Sequence, residues 1–135
     1  MDVLTSEQRS RCIAAIKGKD TKPEIAVRSV LGRMRIRYQL HRLDLPGKPD
    51  IVLPRRRKVI FVHGCFWHVH GCRYGRVKPA TNAQFWRDKR QKTRGRDRKN
   101  RRALRNAGWK VFTVWECWIK SPENLAARLS RFLAS

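Results

Sequence analysis

Apolar positions fall along the chain in two periods. Val27, Val30, Leu31 and Met34 recur at helical spacing, which predicts a core-facing helix from about Lys22 to Met34. Thr21-Lys22-Pro23-Glu24 at its start has the form of a capping box. An earlier capping pattern, Thr5-Ser6-Glu7-Gln8, predicts a short helix to about Ile16, broken by Lys17-Gly18-Lys19. The pattern then changes. Tyr38 to Leu40 reads as a short strand and Leu45-Pro46-Gly47-Lys48-Pro49 as a turn. Asp50 to Leu53 reads as a strand, and Pro54 to Arg57 turns the chain. Lys58 to Val62 is a continuous apolar run after its first residue, as in a buried central strand. Thr81-Asn82-Ala83-Gln84 is a third capping pattern. It opens a helix to about Asn106, with Gly95 as the place for a break and Gly108 as the C′ residue. Trp109 to Trp115 is a strand. Ser121-Pro122 caps a last helix whose Leu125, Leu129, Phe132 and Leu133 face inward. The order α-α-β-β-α-β-α predicts an α/β fold, a mixed central sheet flanked by helices. No repeat or Gly/Ser linker divides the chain, so residues 1–135 read as a single domain.

Charge changes this picture. Lys and Arg total 33 against 10 Asp and Glu, a formal net charge of +23. Such an imbalance is self-repelling unless a polyanion binds. An apolar fraction of 41% still suffices for a core and argues against wholesale disorder. No apolar run approaches the roughly 18 residues of a membrane span, and Met1 to Arg11 lacks the apolar stretch of a signal peptide. These features point to a soluble, intracellular, nucleic-acid-facing protein. They disfavour a purely structural role or a secreted disulfide scaffold. The cations cluster in two places. Arg55-Arg56-Arg57-Lys58 is one run. The other is the long helix, which has no apolar residue between Arg87 and Arg102 and only Asp88 and Asp97 as acids there. A helix of that kind binds phosphates with strong salt dependence.

Candidate chemistry concentrates in His63-Gly64-Cys65-Phe66-Trp67-His68-Val69-His70-Gly71-Cys72. Cys65, His70 and Cys72, with Cys117 as a fourth ligand, compose a Cys3His set suited to a closed, structural Zn2+ site. The plainer reading is three buried cysteines and a surface histidine. Cys12 is left over as a small helix residue. His63 and His68 follow a central strand, where a near-neutral imidazole can transfer protons; each can equally be a surface histidine. Asp50, opening a strand, can hold Mg2+ against a phosphate or simply cap the chain entry. Glu24 is a capping-box partner and also a carboxylate able to bind water on a metal. Phe66, Trp67 and Trp86 can wedge into a base stack or pack in the core.

In these residues the sequence resembles the very short patch repair (Vsr) endonucleases. The likeness runs through Asp20-Thr21 with Glu24, Leu45-Pro46-Gly47-Lys48-Pro49-Asp50, Val59 to His68, and Cys72. It continues through Pro79-Ala80-Thr81, Phe85-Trp86, Arg96-Asp97, Gly108-Trp109 and Val114-Trp115-Glu116-Cys117. The resemblance implies a restriction-endonuclease-like core with a structural zinc. It implies Mg2+-dependent nicking of duplex DNA 5′ of the thymine in a T·G mismatch, the product of 5-methylcytosine deamination. By that pattern Asp50 binds the catalytic metal together with the Val62 main-chain carbonyl, and His68 is the general base or acid. Glu24 and His63 position the attacking water, and Cys65, His70, Cys72 and Cys117 hold the zinc. Phe66, Trp67 and Trp86 form the wedge, and Ile13 probes the minor groove. Val62 and Ile13 depart from the threonine and methionine of the best-known members. The implied setting is a monomer acting on mismatched double-stranded DNA in the bacterial cytoplasm, at the nucleoid and away from membranes. The rival expectations are a related nuclease with a different DNA target and a non-catalytic, zinc-stabilised DNA-binding module.

Overall fold

The computed structural model describes residues 21–65, 68, 70–72, 76 and 81–135. The helix expected before Lys17, with Ile13, and the wedge residues Phe66 and Trp67 lie outside the described residues. Helix α1, Lys22–Arg33, starts where the capping pattern puts it, with Pro in its first turn and Thr21 at the N-cap. Thr21 Oγ1 accepts the Glu24 N–H at 3.4 Å. Only that half of the capping box forms, because the Glu24 carboxylate turns toward His41 and Arg28. The helix ends in a Schellman turn: the Arg35 N–H reaches Gly32 O and the Ile36 N–H reaches Leu31 O. Arg35 accordingly takes the left-handed conformation, φ +58°.

Four strands follow: β1 Gln39–Leu40, β2 Ile51–Leu53, β3 Lys58–His63 and β4 Lys110–Trp115. They lie side by side in the order β1-β2-β3-β4. The first two pairings are antiparallel and β3–β4 is parallel, so the sheet is mixed as expected. A parallel pair needs a crossover, supplied by α2, Ala83–Asn106. β3 is the buried centre of the sheet. Side chains alternate between its two faces. Ile51, Leu53, Ile60 and Val114 pack with Val27, Val30 and Leu31 of α1 and with Leu125 and Leu129 of α3, Pro122–Ala134. Val52, Val59 and Phe61 face Leu104 of α2 and Trp109. Helices therefore cover both faces. Among the described residues no helix is long and apolar enough to cross a membrane.

Two expectations about α2 need correction. Asn82 occupies its N-cap with φ +55° and no side-chain cap bond, so the Thr81–Gln84 capping box does not form. The helix also runs unbroken through Gly95, which is exposed, with open space where a Cβ would stand. A glycine there costs about 1 kcal/mol, too little to break a helix seated elsewhere. Trp86, Arg90, Thr93, Asp97, Asn100 and Arg101 are half-buried and recur at helical spacing up to the buried Leu104. The inward stripe is mostly polar, which is why apolar periodicity could not reveal it. Its C-terminus ends as expected on Gly108, φ +92°, with the Trp109 N–H on Leu104 O at 3.0 Å.

Ser121 stands at the N-cap of α3 but makes no side-chain cap bond. Lys58 is buried, and its ammonium donates to the carbonyls of Phe132, Leu133 and Ser135 at 2.9, 2.7 and 2.9 Å. It thus caps the C-terminus of α3, where a cation is favoured. The loop from β1 to β2 presses against α2 at Gly47, whose φ is +75° and whose added Cβ would stand 2.9 Å from Asn100 Cβ. We expect Gly47→Ala to lower unfolding free energy by about 1–3 kcal/mol, from strain plus the clash. Denaturant unfolding checks it; a change near zero would mean that this approach is not close in solution.

Candidate active site

One end of the sheet gathers the polar groups that the core excludes. β2 starts at Ile51, so on that side the Val62 N–H of β3 has no strand carbonyl to meet. The side chain of Asp50 takes the place, with Oδ2 accepting the Val62 N–H at 2.7 Å. Asp50 is thereby held beside the last residues of β3. Burial is the main influence on its carboxyl and pushes the pKa up to about 6 from 3.8. The Val62 N–H opposes that rise, the charge of Glu24 adds to it, and His41 and His68 oppose it. Glu24, Asp50, His41 and His68 therefore share one electrostatic neighbourhood.

Glu24 is almost completely buried. Its Oε1 meets His41 Nε2 at 2.5 Å and Arg28 Nη2, one turn along α1, at 3.0 Å. The His41 N–H also reaches the Asp50 main-chain carbonyl at 3.2 Å. His41 thus touches both carboxylate-bearing residues. Sequence reasoning gives His41 no role.

His63 and His68 come together as stacked rings, centroids 3.6 Å apart and 7° from parallel. Burial, then His68 and Arg101, hold His63 well below its ordinary pKa, so its ring is neutral. Its Nδ1 is buried with no hydrogen-bond partner among the described residues. His68 Nδ1 meets Asp97 Oδ2 at 2.5 Å. A carboxylate on Nδ1 fixes the tautomer and leaves Nε2 for proton transfer. Asp97 comes from the polar stripe of α2 and was missed as a site residue, although an acid inside a run of cations is itself a signal. His63, His68 and Asp97 have ligand atoms near enough to share a metal ion. The parallel rings argue against that, since in-plane lone pairs on stacked rings run side by side and do not converge.

The second cluster is Cys65, His70, Cys72 and Cys117, with ligand atoms all within 4.8 Å of one another. The cysteines are free thiols. Cys117 belongs to a 3-10 turn, Glu116–Lys120, that follows the last strand, and its Sγ lies 3.6 Å from His70 Nδ1. Tetrahedral Zn–S bonds of about 2.3 Å put sulfurs roughly 3.8 Å apart, so the cluster can hold a metal ion and its donors fit zinc. Burial pushes the Cys65 and Cys117 thiols up. Trp115 separates the two clusters: its ring stacks on His70 at 4.2 Å and meets His63 edge-on at 5.5 Å.

Of the expected site residues, Glu24, Asp50, Val62, His63 and His68 converge at this sheet end, and the four metal-ligand candidates form their own group beside it. Trp86 is half-buried near the start of α2, against Phe85, away from the helix's seat at Leu104. A deep carboxylate, a buried second acid and a carboxylate-oriented imidazole are groups able to serve hydrolysis of a phosphodiester.

A family model described as DNA mismatch endonuclease Vsr matches residues 1–74. The chain is 46% identical over 132 residues to the type II nicking enzyme V.XorIIP of Xanthomonas oryzae pv. oryzae (strain KACC10331 / KXO85), across 98% of this chain and 96% of that one. It is 40% identical over 124 residues to the DNA mismatch endonuclease Vsr of Escherichia coli (strain K12), across 92% and 79%. In structure it is similar to the catalytic domain of the homing endonuclease I-Bth0305I, with a TM-score of 0.60 over 85% of this chain and 96% of that chain. At 20% identity, that last likeness concerns the fold alone. With its sheet-end carboxylates and histidines, the chain belongs to the Vsr family of DNA endonucleases.

Proposed function

We propose that this endonuclease nicks duplex DNA on the 5′ side of the thymine in a T·G mismatch, in a Mg2+-dependent reaction that starts short-patch repair of deaminated 5-methylcytosine. The observation that carries the reading is the meeting of Asp50, Glu24 and the His68–Asp97 pair at one sheet end. Asp50 and the Val62 carbonyl are hard oxygen donors and would hold Mg2+, which when bound supplies positive charge to the scissile phosphate. His68 moves a proton through Nε2 while Asp97 keeps its ring in register. Glu24, held by His41 and Arg28, orients the attacking water, assisted by the neutral His63 ring. Cys65, His70, Cys72 and Cys117 hold a structural Zn2+.

Phe66 and Trp67, with Trp86, form the wedge beside the mismatch, and Ile13 enters the minor groove. The proposed setting is a monomer acting on nucleoid DNA in the bacterial cytoplasm. Membership of an endonuclease family sets aside the non-catalytic binding module. A different DNA target is what the substrate test addresses.

That test is strand nicking across all mismatches and matched duplex, with and without Mg2+. Cleavage is expected only at T·G and only with Mg2+, and Asp50→Ala should abolish it while DNA binding persists. Equal rates on matched DNA would refute the specificity. Asp97→Asn should lower kcat by about 10²–10⁴ with little change in KM, because the tautomer is lost while binding groups remain; a KM effect alone would remove Asp97 from the proton path.

The buried Asp50 also makes a stability prediction. Its folded pKa, about 6, lies above the ordinary 3.8. The protonated form is favoured on folding, so stability is highest below the ordinary value and is lost as pH rises through 6. A shift of about two units corresponds to roughly 3 kcal/mol at most. Metal-free Asp50→Asn should therefore melt above the parent at pH 8, with the gap closing near pH 4. A gap independent of pH would contradict the assignment.

A further inference from the structure

The Arg55–Lys58 run does not act as one patch. Lys58 is turned inward to the end of α3. Arg57 lies over the Trp109 ring at 4.7 Å and donates to Ala107 O at 3.1 Å, capping α2. Arg55 and Arg56 remain, both exposed, and with Arg35 and Arg37 they line a groove of about 470 Å³ that contains no acid. Some arginines elsewhere are held by partners: Arg28 has Glu24, Arg42 has Asp44 at 2.6 Å, and Arg128 lies 4.2 Å over Trp118. The guanidinium groups of Arg35, Arg37, Arg55 and Arg56 have none among the described residues. Arg35 also sits left-handed at the Schellman position of α1, where glycine would avoid roughly 1 kcal/mol of strain. Four like charges around one concavity repel each other until an anion enters it.

The position of the groove separates it from the catalytic cluster. Gln39 pairs with Val52 and Leu53 with Lys58, so the groove lies where β1 begins and β2 ends. Asp50 and Val62 mark the opposite end of the same strands, about 10 Å away along β2. Ile36, Tyr38 and Leu53, which line the groove, belong to the core on the α1–α3 side, whereas α2 packs on the other face through Leu104. The groove therefore lies at the strand ends away from Asp50, beside the sheet face opposite α2. Guanidinium forks match phosphate oxygens in bidentate geometry.

We infer that this groove is a second phosphodiester-backbone site, which holds another DNA segment while the first occupies the active site. The enzyme thereby bridges two duplexes. The test uses the whole chain and the triple variant R37A/R55A/R56A, whose side chains are exposed and whose removal should leave the fold intact. A long matched duplex is fixed on beads, and capture of a labelled second duplex through the protein is measured against salt. The unaltered chain should bridge, and the variant should capture roughly tenfold less, with its log–log salt slope smaller by about 3. Nicking of a duplex extending about one helical turn either side of a T·G mismatch should be unchanged in the variant. Equal bridging by both proteins would overturn the inference. A parallel loss of nicking on the short duplex would do so too, since it would place the groove on the primary DNA path. If the unaltered chain fails to nick T·G duplexes, the proposed specificity falls while the bridging result still stands.

Discussion

The bond from the Val62 N–H to the Asp50 carboxylate fixes where the candidate site sits in this fold. Central strands normally satisfy their amides with neighbouring backbone. Here β2 stops one row short, and a side-chain carboxylate completes the ladder at 2.7 Å. Three consequences follow. A charged group is fixed deep at the sheet end with one oxygen engaged. Its backbone partner stabilises the ionised form against burial, so its pKa settles near 6 instead of climbing further. And the neighbours it influences, Glu24, His41 and His68, are brought by three different segments, so the site forms only when the whole sheet end is assembled.

The second support is covalent adjacency between the two clusters. His68 lies between Cys65 and His70 in sequence. The His68 N–H binds Gly64 O at 3.2 Å and the His70 N–H binds Cys65 O at 3.0 Å. Binding of a metal by the Cys/His set would therefore tighten the same short segment that carries the proton-transfer candidate. Trp115 touches both clusters, with a face on His70 and an edge-on contact to His63. A small domain with short strands gains rigidity at its working end by this route, where apolar packing is thin.

The sheet and α1 were legible in sequence because their apolar residues follow one period and are buried accordingly. Helix α2 was legible in extent, Ala83–Asn106, but not in the face it buries, because most of its inward stripe is polar. The same feature hid Asp97: its partner His68 is 29 residues away, and no local pattern pairs them. His41 was hidden for a related reason, since its contact with Glu24 spans 17 residues and crosses from α1 to the end of β1. The capping-box reading of Glu24 held for its N–H on Thr21 Oγ1 and failed for its carboxylate, which turns to His41 and Arg28. Residue types at a sheet end could be listed from sequence, but which of them meet depends on the register of β1, β2 and β3.

The distribution of charge adds a last constraint. Ten acids stand against 33 cations, and Glu24, Asp50 and Asp97 are placed together at the sheet end. The net charge therefore attracts phosphate, while the clustered carboxylates oppose it at the candidate site. Nonspecific binding rests on counterion release from the arginine-rich surfaces and needs no help from the carboxylates. Bringing a phosphodiester against Asp50 is different, because two anions in a partly desolvated site repel strongly. A divalent cation or a proton must relieve that repulsion before the backbone can settle. On the proposed assignment, affinity rests with the cations and cleavage with the carboxylates, two separate sets of groups.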